Sequence, residues 1–232
     1  MRVDVWSDVT CPWCFIGLAN LGEALQRFDH EDDVDVVLHS FQLDPGAPKR
    51  DEQALDERLA KKYSTTISEI RARQAQIVSL GAERGIDFRF DKAIGGNTFD
   101  AHRLLHLARL RGCQIELKHR LGRAYFTDGD PIGEPETLRR AALEVGLDPD
   151  EVEAVLSGDA FAEEVRADLD AARQIGVAGV PFFVVDGRLG VSGAQPAESL
   201  LEILDQGWLT RDPVPVTVVA EGDNCGPDGC EI

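Results

Sequence analysis

The chain has 232 residues, 43% of them hydrophobic, enough to bury a core without disulfide staples. Its 42 Asp and Glu against 24 Lys and Arg give a net charge of −18, which repels nucleic-acid phosphates and anionic lipid and serves solubility. No apolar run approaches the roughly 18 residues of a membrane span, and residues 1–10 alternate apolar with polar, unlike a secretory leader, so a soluble cytoplasmic protein is expected.

Residues 2–7 read as a strand, 12–28 as a helix and 34–43 as a second strand, a βαβ opening. Pro12 suits a first helical position because its missing N–H would have been unbonded there, and Leu18, Leu21, Leu25 and Phe28 follow at helical spacing. The pattern breaks at Asp44-Pro45-Gly46-Ala47-Pro48. Helical periodicity then runs almost unbroken to Gly176, with helices expected near 51–63, 66–84, 98–112, 114–127, 135–146, 149–157 and 160–176. Gly85, Gly95-Gly96-Asn97, Gly112, Asp128-Gly129-Asp130-Pro131 and Asp148-Pro149 punctuate them. Strand character returns at 182–185 and 189–192, joined through Asp186-Gly187 as a tight hairpin. A helix near 197–208, a Pro-containing edge strand from Val214 and a polar tail close the chain.

The order βαβ, helical block, ββα implies an α/β fold in which a large all-helical insertion separates the two halves of one small mixed sheet. Each flank alone is too small to bury a core. The expected division is residues 1–47 with 177–210, bridged by the last inserted helix at 160–176; a helical insertion over 48–176; and a tail over 211–232.

The chemistry lies in the cysteines, which are too few and too unevenly placed for a disulfide framework. Cys11-Pro12-Trp13-Cys14 falls where a strand ends and a helix begins, so the unbonded N–H groups and the dipole of the helix favour a thiolate at Cys11. Cys11 is read as an exposed nucleophile and Cys14, one turn on, as the resolving thiol, a spacing that lets a disulfide form and open with little backbone movement. Pro12-Trp13 brings no ionisable group, so activation of Cys11 has to come from the helix terminus and the surrounding fold. The competing reading is half of a zinc site, with Cys225 and Cys230 as the other half.

The strand, Cys11-Pro12-Trp13-Cys14, the helical insertion and Gly179-Val180-Pro181 together resemble the DsbA family of thioredoxin-fold proteins, and within it the FrnE-like cytoplasmic branch. The likeness covers nearly the whole chain. It includes Asn97-Thr98-Phe99-Asp100-Ala101-His102-Arg103, similar to a segment that this branch shares with the 2-hydroxychromene-2-carboxylate isomerases. The resemblance implies a thioredoxin fold (βαβ…ββα) and a protein disulfide reductase or isomerase that needs no cofactor. Its partners would be protein or peptide disulfides and a thiol reductant such as thioredoxin or glutathione, with dimerisation left open. It also implies that Pro181 is a cis-proline beside the dithiol, where an ordinary trans proline opening a strand is the alternative. Val180 would then offer its backbone to an extended substrate, and Trp13 either contacts apolar substrate or caps the surface.

Cys225-Gly226-Pro227-Asp228-Gly229-Cys230 carries the residues of a type I turn between its two cysteines. A disulfide closing so short a loop gains little stability, so the pair is read as a second redox centre exchanging with Cys11 and Cys14, or as idle thiols or metal ligands in a tail. Cys113 reads as a small, partly buried hydrophobe. His102 and His106 share a helical face on which no acidic residue completes a metal site, and His39 sits mid-strand; packing and hydrogen bonding are expected of all three. Two other functions compete with the redox enzyme: a glutathione-dependent isomerase or transferase, whose relatives place serine where this chain has Cys11, and a non-catalytic metal-binding protein using both cysteine pairs.

Overall fold

The structure is a computed structural model that describes residues 1–211. The expected edge strand from Val214 and the pair Cys225 and Cys230 lie outside the described residues.

The βαβ opening forms as β1 (Arg2–Ser7), α1 (Pro12–Gln26) and β2 (Asp35–Ser40), with one 3₁₀ turn, Glu31–Asp33, before β2. Six helices of the insertion follow: α2 (Leu55–Lys62), α3 (Ile67–Ala82), α4 (Phe99–Leu110), α5 (Gln114–Arg123), α6 (Pro135–Glu144) and α7 (Pro149–Ser157). Then come α8 (Ala162–Gln174), β3 (Phe182–Val185), β4 (Leu189–Ser192) and α9 (Ala197–Thr210). The helix expected to run to residue 127 ends at Arg123 and continues as one π turn, Ala124–Asp128, stopped by Gly129 in the left-handed region at φ 77°.

The sheet order is β2-β1-β3-β4, with β1 and β2 parallel and the other pairs antiparallel, as the βαβ…ββα thioredoxin arrangement requires. Asp186 and Gly187 both take positive φ, 47° and 67°, the geometry of a tight primed hairpin turn. β2 is an edge strand, and its exposed backbone is satisfied from the insertion: the Gln114 amide accepts from Leu38 N and donates to Leu38 O, both at 3.0 Å.

Strand alternation sorts the core into layers. Val3 and Val5 of β1 and Phe183 and Val185 of β3 pack against Leu18, Leu21 and Ala24 of α1 and Leu200 and Leu204 of α9. Trp6 faces the other way, toward Ala172 and Val177 at the end of α8. The largest cluster belongs to the insertion and includes Leu104, Leu117, Leu121 and Phe126, but Phe15 and Ile16 of α1 also enter it. Helix α1 is therefore apolar on nearly all sides, since it is covered by the sheet on one flank and by the insertion on the other.

That junction is close-packed. At Gly17 of α1 an added Cβ would lie 2.9 Å from Pro181 Cγ and 3.1 Å from Phe183 Cζ. At Gly122 of α5 it would fall within the Phe15 ring. Glycine at these two places lets α1 approach the 180–181 loop and lets α5 approach α1.

Candidate functional site

Cys11 is the N-cap of α1, extended at φ −93° and ψ 109°, and Pro12 occupies the first helical position. No side chain caps this end, and of the first-turn N–H groups that of Cys14 donates to the Cys11 carbonyl at 3.1 Å. The loop before it is tied down by Asp8, which is 1% exposed. Its carboxylate accepts from Val9 N at 2.7 Å, Leu43 N at 2.8 Å, Thr10 Oγ1 at 3.3 Å and His102 Nε2 at 3.2 Å, while its backbone carbonyl accepts from Cys11 N at 3.3 Å. Burial alone would raise this carboxyl; those donors, His102 first, hold it below its ordinary range instead.

The Val180–Pro181 peptide bond is cis. It places the Val180 carbonyl 3.4 Å from Cys11 Sγ, so the thiol donates to it across 169 residues of sequence. Both cysteines are free thiols. Cys11 departs from the exposed nucleophile expected from the sequence: it is only 3% exposed. As the N-cap it sits in the angle between the 8–11 loop and the 180–181 loop, and what a strand end would have left open is closed by a segment distant in sequence. Trp13, between the two cysteines, stays 41% exposed. Cys14 is fully buried, and burial together with the neighbouring Cys11 sulfur pushes its thiol well above the usual range.

Behind the cysteines lies a group the sequence reading missed. Lys118 of α5 is fully buried, with its Nζ 4.9 Å from the centre of the Phe15 ring, and burial pushes its ammonium below the ordinary lysine range. Nothing in the sequence marks it, because a single Lys in a helix of alternating charges reads as solvent-facing. Asp8 was equally silent, as one of 42 acidic residues.

The histidines are satisfied by carboxylates from other elements, which is why no acidic partner could be seen on their own helix face. His102 bonds Asp8. His106 Nε2 lies 3.0 Å from Asp168 of α8, and His39 lies 2.6 Å from both Asp168 and Asp4. Burial would lower His39, but hydrogen bonds to Asp168 and Asp4 carry it up to about 9. Asp168 also accepts from Ser40 N at 2.8 Å and is held well below the carboxylate range. This network links β1, β2, α4 and α8 and leaves the cysteines untouched. Among the described residues, no group of three or more His, Cys, Asp or Glu is arranged to hold a metal ion.

The segment 97–103 is also structural in its contacts. Asn97 Nδ2 donates to the carbonyls of Pro45 and Ala47 at 3.0 and 3.2 Å, and Arg103, 4% exposed, donates to the carbonyls of Val155, Gly158 and Ala160. Cys113 is half-buried at the start of α5, where burial and then Glu116 raise its thiol. It has no part in the dithiol site.

Comparison with known proteins agrees with this fold. A curated relative, the uncharacterized protein YwbO of Bacillus subtilis (strain 168), is 26% identical over 187 residues, 80% of this chain and 86% of its own. Among solved structures, a probable DsbA oxidoreductase from Streptomyces coelicolor matches with a TM-score of 0.88 and 43% identity, covering 100% of this chain and 99% of that one. The cytosolic disulfide reductase DsbM from Pseudomonas aeruginosa, also determined with GSH, shares the fold at a TM-score of 0.64 and 20% identity over 90% of this chain and 99% of its own. The family described as DSBA-like thioredoxin domain matches residues 2–205, nearly the whole of the described chain, and the protein belongs to that family.

Proposed function

We propose that this protein is a thiol–disulfide oxidoreductase acting on protein or peptide disulfides, with Cys11 as nucleophile, Cys14 as resolving thiol and Pro181 forming the wall of the site. The observation that carries this reading is the meeting of Cys11 Sγ with the Val180 carbonyl at a helix N-terminus, with a second free thiol one turn behind. Cys11 attacks a substrate disulfide and one substrate sulfur departs as thiolate. Cys14 then attacks Cys11, releases the second substrate sulfur and leaves a Cys11–Cys14 disulfide for a thiol reductant such as thioredoxin or glutathione to reopen.

Substrate backbone pairs beside Val180, and the exposed indole of Trp13 meets apolar side chains. Because Cys11 is nearly covered, the attacking sulfur is reached by an extended segment lying along the 180–181 loop, not by a folded surface. A buried Cys14 favours the dithiol cycle over the single-nucleophile isomerase. The resemblance to the FrnE-like branch, a cytoplasmic setting in which net reduction or isomerisation is the easier direction, the insertion bounds 48–176 and a relay through Cys225 and Cys230 belong to the same proposal.

The test is insulin reduction with dithiothreitol as donor, together with a Cys14→Ser variant offered a peptide disulfide. The reading expects catalysed precipitation that Cys11→Ser abolishes, and a stable adduct on Cys11 in the Cys14→Ser protein. Catalysis that survives Cys11→Ser, with no adduct, would refute it.

A further inference from the structure

The segment 97–103 holds no redox-active group, yet its side chains converge on the loops around the dithiol. Asn97 donates to the Pro45 and Ala47 carbonyls and accepts from Gln42 Nε2 at 3.1 Å and Phe99 N at 2.9 Å, so the loop after β2 is fastened to the start of α4. Arg103 fastens α4 to the backbone that follows α7 through the Gly158 and Ala160 carbonyls. Between these anchors stands His102, 1% exposed, whose Nε2 donates to Asp8 Oδ1 at 3.2 Å in the loop after β1. Asp8 accepts from four donors in all. Val9 N and Thr10 Oγ1 lie in its own loop and Leu43 N in the loop after β2, so His102 is the donor that the helical insertion supplies. What Asp8 holds in turn is the backbone of the nucleophile: its carbonyl accepts from Cys11 N at 3.3 Å and closes the 8–11 turn, while Cys11 Sγ meets the Val180 carbonyl at 3.4 Å. A sulfur pinned between a turn and a loop attacks along one direction, and that direction is only as fixed as the turn.

We propose that His102 is a positioning residue for the reaction at Cys11: by holding Asp8 it fixes the 8–11 turn and keeps the Cys11 sulfur beside the Val180 carbonyl, where a disulfide lying along the 180–181 loop presents itself. This rests on the dithiol reading above. A carboxylate enclosed by protein keeps its place only while its donors keep theirs. An apolar side chain at 102 leaves Asp8 with donors from residues 9, 10 and 43 alone, and the turn is then free to shift relative to Val180, which belongs to a different segment of the chain. The effect is on alignment, so it falls on attack at a docked disulfide and spares reaction with a small reagent that needs no docking. Through this one hydrogen bond the helical insertion takes part in the chemistry at the start of α1.

The test compares two reactions of Cys11 in the full-length Cys14→Ser protein: mixed-disulfide formation with a peptide disulfide and alkylation by iodoacetamide, each followed by mass spectrometry of the Cys11 peptide. Both consume the same thiolate, so their ratio cancels any change in ionisation. Adding His102→Leu should lower the ratio of disulfide attack to alkylation by about 10- to 10²-fold, the loss that a misplacement of about 1 Å brings. Adding His102→Gln instead, whose amide nitrogen stands where the imidazole Nε2 stood, should restore it. A ratio unchanged in His102→Leu, or lowered as far in His102→Gln, would overturn the proposal. Should His102→Leu fail to fold, the unsubstituted protein decides: the ¹⁵N resonance of His102 Nε2 shifts between the reduced and oxidised dithiol when the two are joined through Asp8, and identical spectra would overturn the proposal. A protein with His102 intact that forms no adduct on Cys11 would refute the dithiol reading itself, and the role of His102 with it.

Discussion

Removing the His39 imidazole should flatten the alkaline side of the stability profile. His39 is about one-sixth exposed, is stacked on Trp6 at 4.6 Å and bonds Asp4 and Asp168 at 2.6 Å each. Its folded value of about 9 lies above the unfolded 6.5, so the protonated form favours folding. That stabilisation is fully present below pH 6.5 and is lost as pH rises through about 9. Linkage over that interval gives about 3 kcal/mol at pH 6 and less than about 0.5 kcal/mol at pH 9. Asp4 and Asp168 are depressed and stay ionised throughout, so they add nothing to the slope there. The assay is urea unfolding at several pH values between 6 and 10, followed by fluorescence. Trp6 reports on the site because its indole donates to the Asp168 carbonyl at 3.1 Å. Cysteines and lysines titrate in the same range, so the quantity to compare is the difference between the unsubstituted protein and His39→Gln. We expect that difference to shrink by about 2 to 3 kcal/mol from pH 6 to pH 9.5. Parallel curves across the range would refute the assignment of a charged, doubly bonded His39.

Four further outcomes follow from packing and charge. Gly17→Ala should cost about 1 to 3 kcal/mol by pushing the new methyl into Pro181 and Phe183, and should disturb the 180–181 loop; a thermal melt with a parallel insulin assay checks both. Asp8→Ala should cost about 3 to 5 kcal/mol in urea unfolding, since it strands buried donors of Val9, Leu43 and His102. Asp8 and Asp168 have folded values below the unfolded 3.8, so the stability they add is present above that pH and lost as pH falls through their folded values. Asp168→Asn should accordingly weaken the acid-side dependence of unfolding. Trp13→Ala, at an exposed position, should leave the melt nearly unchanged and raise KM for apolar peptide disulfides by several-fold, measured by mixed-disulfide formation.

The dithiol could be read directly because its chemistry is local. Cys11 caps the helix in which Pro12 and Cys14 share the first turn, so their placement follows from neighbouring residues alone. The element order was likewise legible, since 3.6-residue and two-residue periodicities are properties of short segments, and turn residues such as Asp186-Gly187 announce their own geometry. What surrounds the sulfur depended on contacts between residues far apart in the chain. Val180 reaches Cys11 across 169 positions and covers it, contrary to the exposed thiol that a free helix end suggests.

Asp8, Asp168 and Lys118 were invisible for a related reason: a charged side chain looks solvent-bound in sequence, and only the fold reveals that it is buried and what opposes it. Asp168 meets His39 across 129 positions, and the histidine pair on α4 finds its carboxylates in the 8–11 loop and α8, not on its own helix. Sequence by itself thus determined that two cysteines stand at the start of one helix and in what order the elements come. Tertiary structure decided their burial and charge, because the local field at a buried group is set by long-range neighbours that no short window of sequence contains.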